Sequence, residues 1–276
     1  MRSLRLLLIA SALSAACTET PTAPREQPRP AFITSGQPDA ERHPYVVLIV
    51  LDTEEGPAGF CSGSLLSPTI VLTAGHCTEG FVAARIWVDE VVEGNPEFPF
   101  GGTTSYEGTP QANPDFCIGC GPGLPGFDLR DVGVVVLSEP VPTSIVDEYV
   151  QLPTAGLVET LANKAAVDLV GYGAQEQVHG GGPPFWTGIF ARFFAPAQLV
   201  SGSFVHSDEF IRLTLNAAQG KGGACFGDSG GPNLVGGTDI AIAVTSYGTN
   251  PNCSGVGYFS RLDIPEVLSW IQGFLD

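Results

Sequence analysis

Apolar and polar positions fall in short blocks along most of this chain, with glycine- and proline-rich turns between them, a pattern that predicts many brief strands. Val132 to Leu137 is an unbroken apolar run with Asp131 at its head and reads as a buried strand. Short segments of this kind suggest an all-β barrel architecture. Two stretches break the pattern. Pro265 to Leu275 carries Val267, Leu268, Ile271, Phe274 and Leu275 at helical spacing, so a C-terminal helix is expected to pack this face on the body. At the other end, Arg2 and Arg5 precede an apolar run from Leu6 to Leu13, and Ser14-Ala15-Ala16-Cys17 follows, the layout of a secretory signal peptide. That run is far shorter than the ~20 residues that span a bilayer, and no later stretch is long or apolar enough.

Composition sharpens this picture. Glycine and proline number 35 and 23 of 276 residues, which is loop-rich, while 43% hydrophobic residues are enough for a packed core. The formal charge is −17, from 29 acidic and 12 basic side chains, so nucleic acid is excluded as the expected partner. Residues 1–32 hold four arginines and two glutamates, so the remainder is more acidic still, as suits a soluble exported domain. Seven cysteines beside only two lysines, Lys164 and Lys221, point to an oxidising compartment. The odd count sets one cysteine apart. Cys17 has two readings: a lipoprotein signal in which it is acylated and becomes the new N-terminus, or ordinary cleavage near Ala16 with Cys17 incidental. The four prolines between Thr18 and Pro30 suit a tether. The protein is therefore expected to be secreted, or held at the periplasmic or cell surface by lipid.

Three segments carry the candidate chemistry. Cys61-Ser62-Gly63-Ser64-Leu65-Leu66-Ser67 leads into Val71-Leu72-Thr73-Ala74-Gly75-His76-Cys77, and Cys225-Phe226-Gly227-Asp228-Ser229-Gly230-Gly231-Pro232 comes much later. A serine hydrolase needs a weak nucleophile activated by a base that a buried carboxylate orients, and His76, Asp131 and Ser229 offer one of each. Gly227-Asp228-Ser229-Gly230-Gly231 also satisfies the G-x-S-x-G nucleophile elbow, but there the histidine follows the serine. His43, His76, His179 and His206 all precede Ser229, so that reading fails on chain order. A subtilisin-like order could recruit Asp39 or Asp52, neither of which sits in a recognisable motif. Asp128 competes with Asp131 as the orienting acid, but it lies in a glycine- and proline-rich loop.

The Thr-Ala-Gly-His-Cys and Gly-Asp-Ser-Gly-Gly-Pro segments, in this order and widely separated, resemble the trypsin/chymotrypsin family of serine endopeptidases from about residue 33 to the C-terminus. The resemblance implies an all-β, chymotrypsin-like fold of two antiparallel six-stranded β-barrels with a C-terminal α-helix and the active site in the crevice between the barrels. The domains expected are a signal peptide over 1–17, a pro-segment or tether over 18–32, a first barrel over 33–139, a crossover over 140–153, and a second barrel with its helix over 154–276. Gly171-Tyr172-Gly173 falls in the second barrel. The resemblance also implies a His76, Asp131, Ser229 triad, with Gly227 and Ser229 supplying the backbone N–H groups of an oxyanion hole. Asp228 matches the acid that pairs with a freshly cut N-terminus, here at Ile33, although Thr34 and Ser35 depart from the family pattern and Phe32 replaces the usual basic residue.

For the substrate pocket the resemblance points to Gly223, where trypsin-like members carry an aspartate, to Ser246, Tyr247 and Gly248 as one wall, and to Gly257 as the other. An uncharged, roomy pocket of this kind implies cleavage after apolar or aromatic residues, Phe32 of the chain itself included. Family spacing pairs Cys61 with Cys77 and Cys225 with Cys253. Cys117 and Cys120 remain, and a small loop disulfide is expected, since nothing nearby completes a metal site around a lone C-x-x-C. No cofactor or metal is expected, the partner is a polypeptide substrate, and a monomer is anticipated. A catalytically silent binding protein on the same fold and an esterase are the competing functions.

Overall fold

The computed structural model describes residues 36–121, 128–174, 176–178, 185–200, 207–216, 222–248 and 252–275. A two-residue strand, β1 (Gln37–Pro38), precedes six strands that close on themselves: β2 (Val46–Thr53), β3 (Gly56–Ser67), β4 (Ile70–Thr73), β5 (Ala83–Trp87), β6 (Tyr106–Ala112) and β7 (Gly133–Leu137). Their spatial order is β2-β3-β4-β7-β6-β5, antiparallel throughout. Closure leaves no unpaired edge in this barrel. The run Val46-Val47-Leu48-Ile49-Val50-Leu51 is continuously apolar, and all six residues are buried. One face fills the barrel and the other packs toward the second barrel, whose Tyr172 hydroxyl reaches the Val46 carbonyl at 3.3 Å.

No strand lies between Ser138 and Gly156, and Val141, Val146 and Val150 anchor this crossover by burial. After one turn of helix, α1 (Leu157–Thr160), come β8 (Ala166–Gly171), a separate antiparallel pair β9 (Glu176–Val178) and β10 (Phe185–Thr187), then β11 (Phe193–Leu199), β12 (Phe210–Leu215), β13 (Pro232–Val235), β14 (Ala241–Gly248) and β15 (Gly255–Arg261). The second sheet runs β11-β12-β15-β14-β13-β8, and β8 pairs back onto β11 from Gly171↔Phe193 to Ala166↔Gln198, closing a second six-stranded barrel. The strand β11 alternates buried and half-buried positions, the period of a pleated strand with one face inward. The short β1 adds outside this barrel through Gln37↔Phe194 and Pro38↔Phe193.

One apolar cluster joins the barrels. It contains Tyr45, Leu48, Leu72 and Trp87 of the first and Tyr172, Leu234 and Val244 of the second. Each such side chain contributes roughly 1.5–3 kcal/mol on burial, so this cluster helps to hold the two barrels together. The final helix, α2 (Pro265–Gln272), starts on a proline at its first turn and sends Val267 and Ile271 into the same cluster. It is shorter than the sequence pattern implies. Phe274 lies beyond the helix and folds its ring edge-on to Trp270 at 5.2 Å, while Leu275 is exposed.

Candidate active site

His76 sits on a single 3-10 turn, Gly75–Cys77, directly after β4. A disulfide from Cys77 to Cys61 ties that turn to β3. Asp131 lies two residues before β7, and β7 pairs with β4 through Gly133↔Thr73. Neighbouring strands thus bring together two residues that lie 55 apart in sequence. The Asp131 carboxylate has no solvent exposure. It accepts the His76 backbone N–H at 2.8 Å on Oδ1, and His76 Nδ1 lies 2.9 Å from Oδ2 and 3.1 Å from Oδ1. A carboxylate can only accept, so Nδ1 carries the proton and Nε2 is left as the basic nitrogen. The Ser246 hydroxyl on β14 donates a further short bond to Oδ2.

Burial alone would lower the His76 pKa, but the hydrogen bond and charge of Asp131, with a contribution from Asp128, outweigh it and hold the imidazole above its ordinary value. Burial would likewise raise Asp131, yet its bonds to His76 and Ser246 and the His76 charge keep it below the usual carboxylate range. The result is a buried anion beside a ring that is stabilised when it takes up a proton.

Ser229 belongs to the second barrel, on the loop that precedes β13. Its carbonyl accepts the Ser62 N–H at 2.8 Å, and the next residue, Gly230, donates to the Thr245 carbonyl at 2.8 Å. Gly230 has φ +78, and a Cβ there would collide with Thr73 Oγ1 and stand 2.7 Å from the Ala74 nitrogen. Only glycine lets the serine loop press against the turn that carries His76.

Just before it, the Asp228 N–H donates to the Cys225 carbonyl at 3.0 Å, and Gly227 has φ +96. These features define a type II turn, whose third residue needs the left-handed region. The Phe226 carbonyl is held by the Ala174 N–H at 2.6 Å. In a trans peptide the N–H points opposite to the C=O, so the Gly227 N–H faces away from Ala174. Asp228 itself turns inward. Burial pushes its carboxyl up to about 7, opposed by backbone bonds from Cys225 and Gly173, each 2.8 Å long. Ile33, its expected partner, and Cys17 lie outside the described residues, as do Phe32, His179 and His206.

A cavity of about 460 Å³ opens beside Ser229. Ser246, Tyr247, Gly248 and Gly257 all line it, because β14 and β15 pair at Gly248↔Gly257 and set both walls side by side. Gly223 is buried. The neighbouring Ala224, together with Leu215 and Phe259, supplies apolar surface to the cavity. Among the described residues, none that lines it is charged. Phe226, 59% exposed, forms a ridge between this cavity and a second cleft lined by Leu48, Phe60, Ile189 and Phe190.

The three disulfides pair Cys61 with Cys77, Cys117 with Cys120, and Cys225 with Cys253. Among the described residues one grouping of side chains could approach a metal, Cys61, His76 and Cys77, and the disulfide uses both of its sulfurs. Sequence reasoning missed three parts of this site: the Ser62 hydroxyl, the Ala174 N–H, and the bond from Ser246 to Asp131. Each acts across a long sequence separation that no local motif encodes.

Two closed barrels with a histidine–carboxylate pair from one and a glycine-flanked serine from the other define the serine-protease class of fold. The family model Trypsin matches residues 33–271, and the chain belongs to that family of hydrolases. It is 26% identical over 282 residues to trypsin theta of Drosophila erecta, covering 98% of this chain and 97% of that protein. It is 25% identical to a trypsin of Sarcophaga bullata, with 84% of each covered. Among solved structures, HL collagenase superposes with a TM-score of 0.64 at 18% identity, over 84% of this chain and 94% of the other. Human heparin binding protein does so with a TM-score of 0.61 at 19% identity, over 87% and 95%. No helix among the described residues is long and apolar enough to cross a membrane.

Proposed function

We propose that this chain is a secreted serine endopeptidase that cleaves polypeptides after apolar or aromatic residues. The observation that carries the reading is the buried Asp131 carboxylate bonded to both the backbone and Nδ1 of His76, with Ser229 on the glycine loop pressed against the same turn. Ser229 Oγ attacks the peptide carbonyl carbon and its proton passes to His76 Nε2. Asp131 holds the ring and stabilises the imidazolium. The N–H groups of Gly227 and Ser229 receive the negative oxygen. Collapse breaks the C–N bond, the amine leaves with the proton from His76, and water repeats the sequence to release the acid.

The uncharged cavity of about 460 Å³ is sized for a large apolar side chain. Phe226 separates it from the second cleft, so the substrate chain crosses this ridge at the scissile bond. A monomer released by cleavage before Ile33, where Asp228 would meet the new ammonium, completes the proposal. If Cys17 is acylated, that cleavage frees the domain from the membrane surface. A binding role like that in the name of the heparin binding protein is disfavoured, because a chain of charge −17 repels a polyanion.

Labelling by a fluorophosphonate, lost in Ser229→Ala, tests the nucleophile. Digestion of a peptide library tests the pocket: the expected cuts follow Phe, Tyr, Leu or Met, and cleavage confined to Arg and Lys sites refutes the specificity. Turnover of esters with no peptide hydrolysis makes the chain an esterase.

A further inference from the structure

Ser62 lies on β3 beside the Cys61 disulfide and is wholly buried. Its hydroxyl is 2.9 Å from the Tyr172 nitrogen and 2.9 Å from the Gly227 carbonyl. The Tyr172 N–H can only donate, so Ser62 Oγ accepts there and its single proton goes to the Gly227 oxygen. The Ser62 backbone also takes part: its N–H donates to the Ser229 carbonyl at 2.8 Å, and its own carbonyl accepts the Thr73 hydroxyl at 2.8 Å. One residue therefore grips the chain on both sides of Asp228.

The grip falls where the turn is softest. Gly227 is the residue with φ +96, and a glycine exchanges between left- and right-handed regions with little steric cost. Such an exchange converts a type II turn to type I by rotating the Phe226–Gly227 peptide, which swings the Gly227 N–H away from the substrate oxygen. One bond opposes it directly and another fixes the pivot: Ala174 N–H holds the rotating Phe226–Gly227 plane through the Phe226 carbonyl, and Ser62 Oγ–H anchors the adjoining Gly227–Asp228 plane through the Gly227 carbonyl. Tyr172 N–H, which fixes the Ser62 hydroxyl, is one residue from Gly173, whose N–H binds Asp228 Oδ1 at 2.8 Å. The segment 172–174 and the turn 225–229 are thus joined at three points: the Phe226 carbonyl, the Asp228 carboxylate and the Ser62 hydroxyl that bridges Tyr172 to Gly227.

We infer that Ser62 is a positioning residue for the oxyanion hole: its hydroxyl anchors the Gly227–Asp228 peptide, the fixed end about which the Phe226–Gly227 peptide would rotate, and so keeps the Gly227 N–H facing the developing negative charge. This rests on the reading of Ser229 as nucleophile. Ser62 touches no reacting atom, and its effect reaches the reaction through the turn. Loss of the hydroxyl should lower transition-state stabilisation and leave ground-state binding of the substrate unchanged.

The test compares the secreted full-length product, its N-terminus sequenced, with Ser62→Ala and Ser62→Thr. Active sites are counted by fluorophosphonate titration. With a peptide substrate, Ser62→Ala is expected to lose about 10- to 100-fold in kcat per titrated site, the range for one positioned donor weakened but not deleted, with KM within about twofold. Binding of a peptidyl trifluoromethyl ketone, which forms a tetrahedral adduct on the serine, should weaken in parallel with kcat/KM. Ser62→Thr keeps the hydroxyl and should recover most of the loss wherever its thermal midpoint matches the parent. A kcat per site within twofold of the parent in Ser62→Ala overturns the inference, as does a loss accounted for entirely by fewer titratable sites or a lower midpoint. A parent that does not label at Ser229 overturns the serine-hydrolase reading itself, and this inference with it.

Discussion

Replacing Arg192 by methionine should be among the most destabilising single changes outside the triad. Its guanidinium, 2% exposed, donates through Nε to Asp39 Oδ2 at 2.9 Å. Through Nη1 it reaches the carbonyls of Val46 and Val88 and the hydroxyl of Tyr172, at 3.0, 3.2 and 3.1 Å. Asp39 is wholly buried and otherwise holds His43, by its backbone N–H at 2.9 Å and by Nδ1. Burial pushes the Asp39 pKa up, but the His43 bonds and the charges of His43 and Arg192 bring it below the ordinary value. Arg192→Met fills the volume and strands the carboxylate with its weaker partner. Removing one member of a buried pair costs about 3–5 kcal/mol. At about 2–4 °C per kcal/mol for a domain this size, the midpoint in differential scanning calorimetry should fall by roughly 6–20 °C.

The second carboxylate change supplies the control. Asp39→Asn combined with Arg192→Met removes the stranded charge and should be more stable than Arg192→Met alone. The sign of the pH dependence follows from the lowered Asp39 pKa: its contribution is present above the unfolded value of 3.8 and is lost as pH falls through the folded one. The gap between parent and Arg192→Met should therefore narrow below about pH 4. A midpoint within about 2 °C of the parent at pH 7, or a double variant as unstable as the sum of its parts, would refute the argument.

Other outcomes follow from the same geometry. Because His76 is held above its ordinary value of 6.5 and must be neutral to act as base, the acid limb of kcat/KM should have its midpoint above pH 6.5; Asp131→Asn should cut kcat by about 10⁴, and a loss under tenfold counts against the triad. Ser246→Ala removes one donor from the Asp131 carboxylate and should lower kcat by up to about 100-fold, since a bond to a charged group is worth roughly 1.5–3 kcal/mol; unchanged kinetics would show that the bond does not support the anion. Asp228, pushed up to about 7 by burial, favours folding at low pH and loses that contribution as pH rises through 7. Unprocessed chain should thus lose stability in urea titrations between pH 5 and 8, whereas chain cut before Ile33 should not, and equal slopes in the two forms would refute the pairing. Of the three disulfides, Cys117–Cys120 alone reaches the surface, so mild dithiothreitol followed by alkylation should mark those two cysteines first; labelling of Cys61 or Cys225 at the same rate would contradict the burial.

Much of this molecule was legible in its residues, for identifiable reasons. Asp131 could be read because it heads a buried apolar strand, and His76 and Ser229 because glycines and cysteines flank each in a fixed local order. The β-barrel class followed from brief strands punctuated by turns, and α2 from its apolar face, although its last turn stopped short at Gln272. What stayed hidden depends on partners distant in sequence. Asp39 and Arg192 are 153 residues apart, and each alone looks like a surface charge. Ser62 reads as an ordinary strand polar residue until Gly227, 165 positions later, lies against it. Leu215, Ala224 and Phe259, which make apolar surface in the cavity, sit in no motif that marks them as pocket residues.

The short strand β1 has a kinetic meaning as well. By stitching Gln37 and Pro38 to β11, it moors the arm only a few residues downstream of Ile33. Were the chain cut there, the new ammonium would be tethered four residues from Gln37, at most about 13 Å of extended chain. So short a leash confines the new ammonium to a small volume, where its local concentration is millimolar or above. Its encounter with any carboxylate within that reach would be independent of protein concentration and insensitive to dilution. Lengthening the leash by inserted glycines would make that encounter rarer without altering a single contact in either barrel.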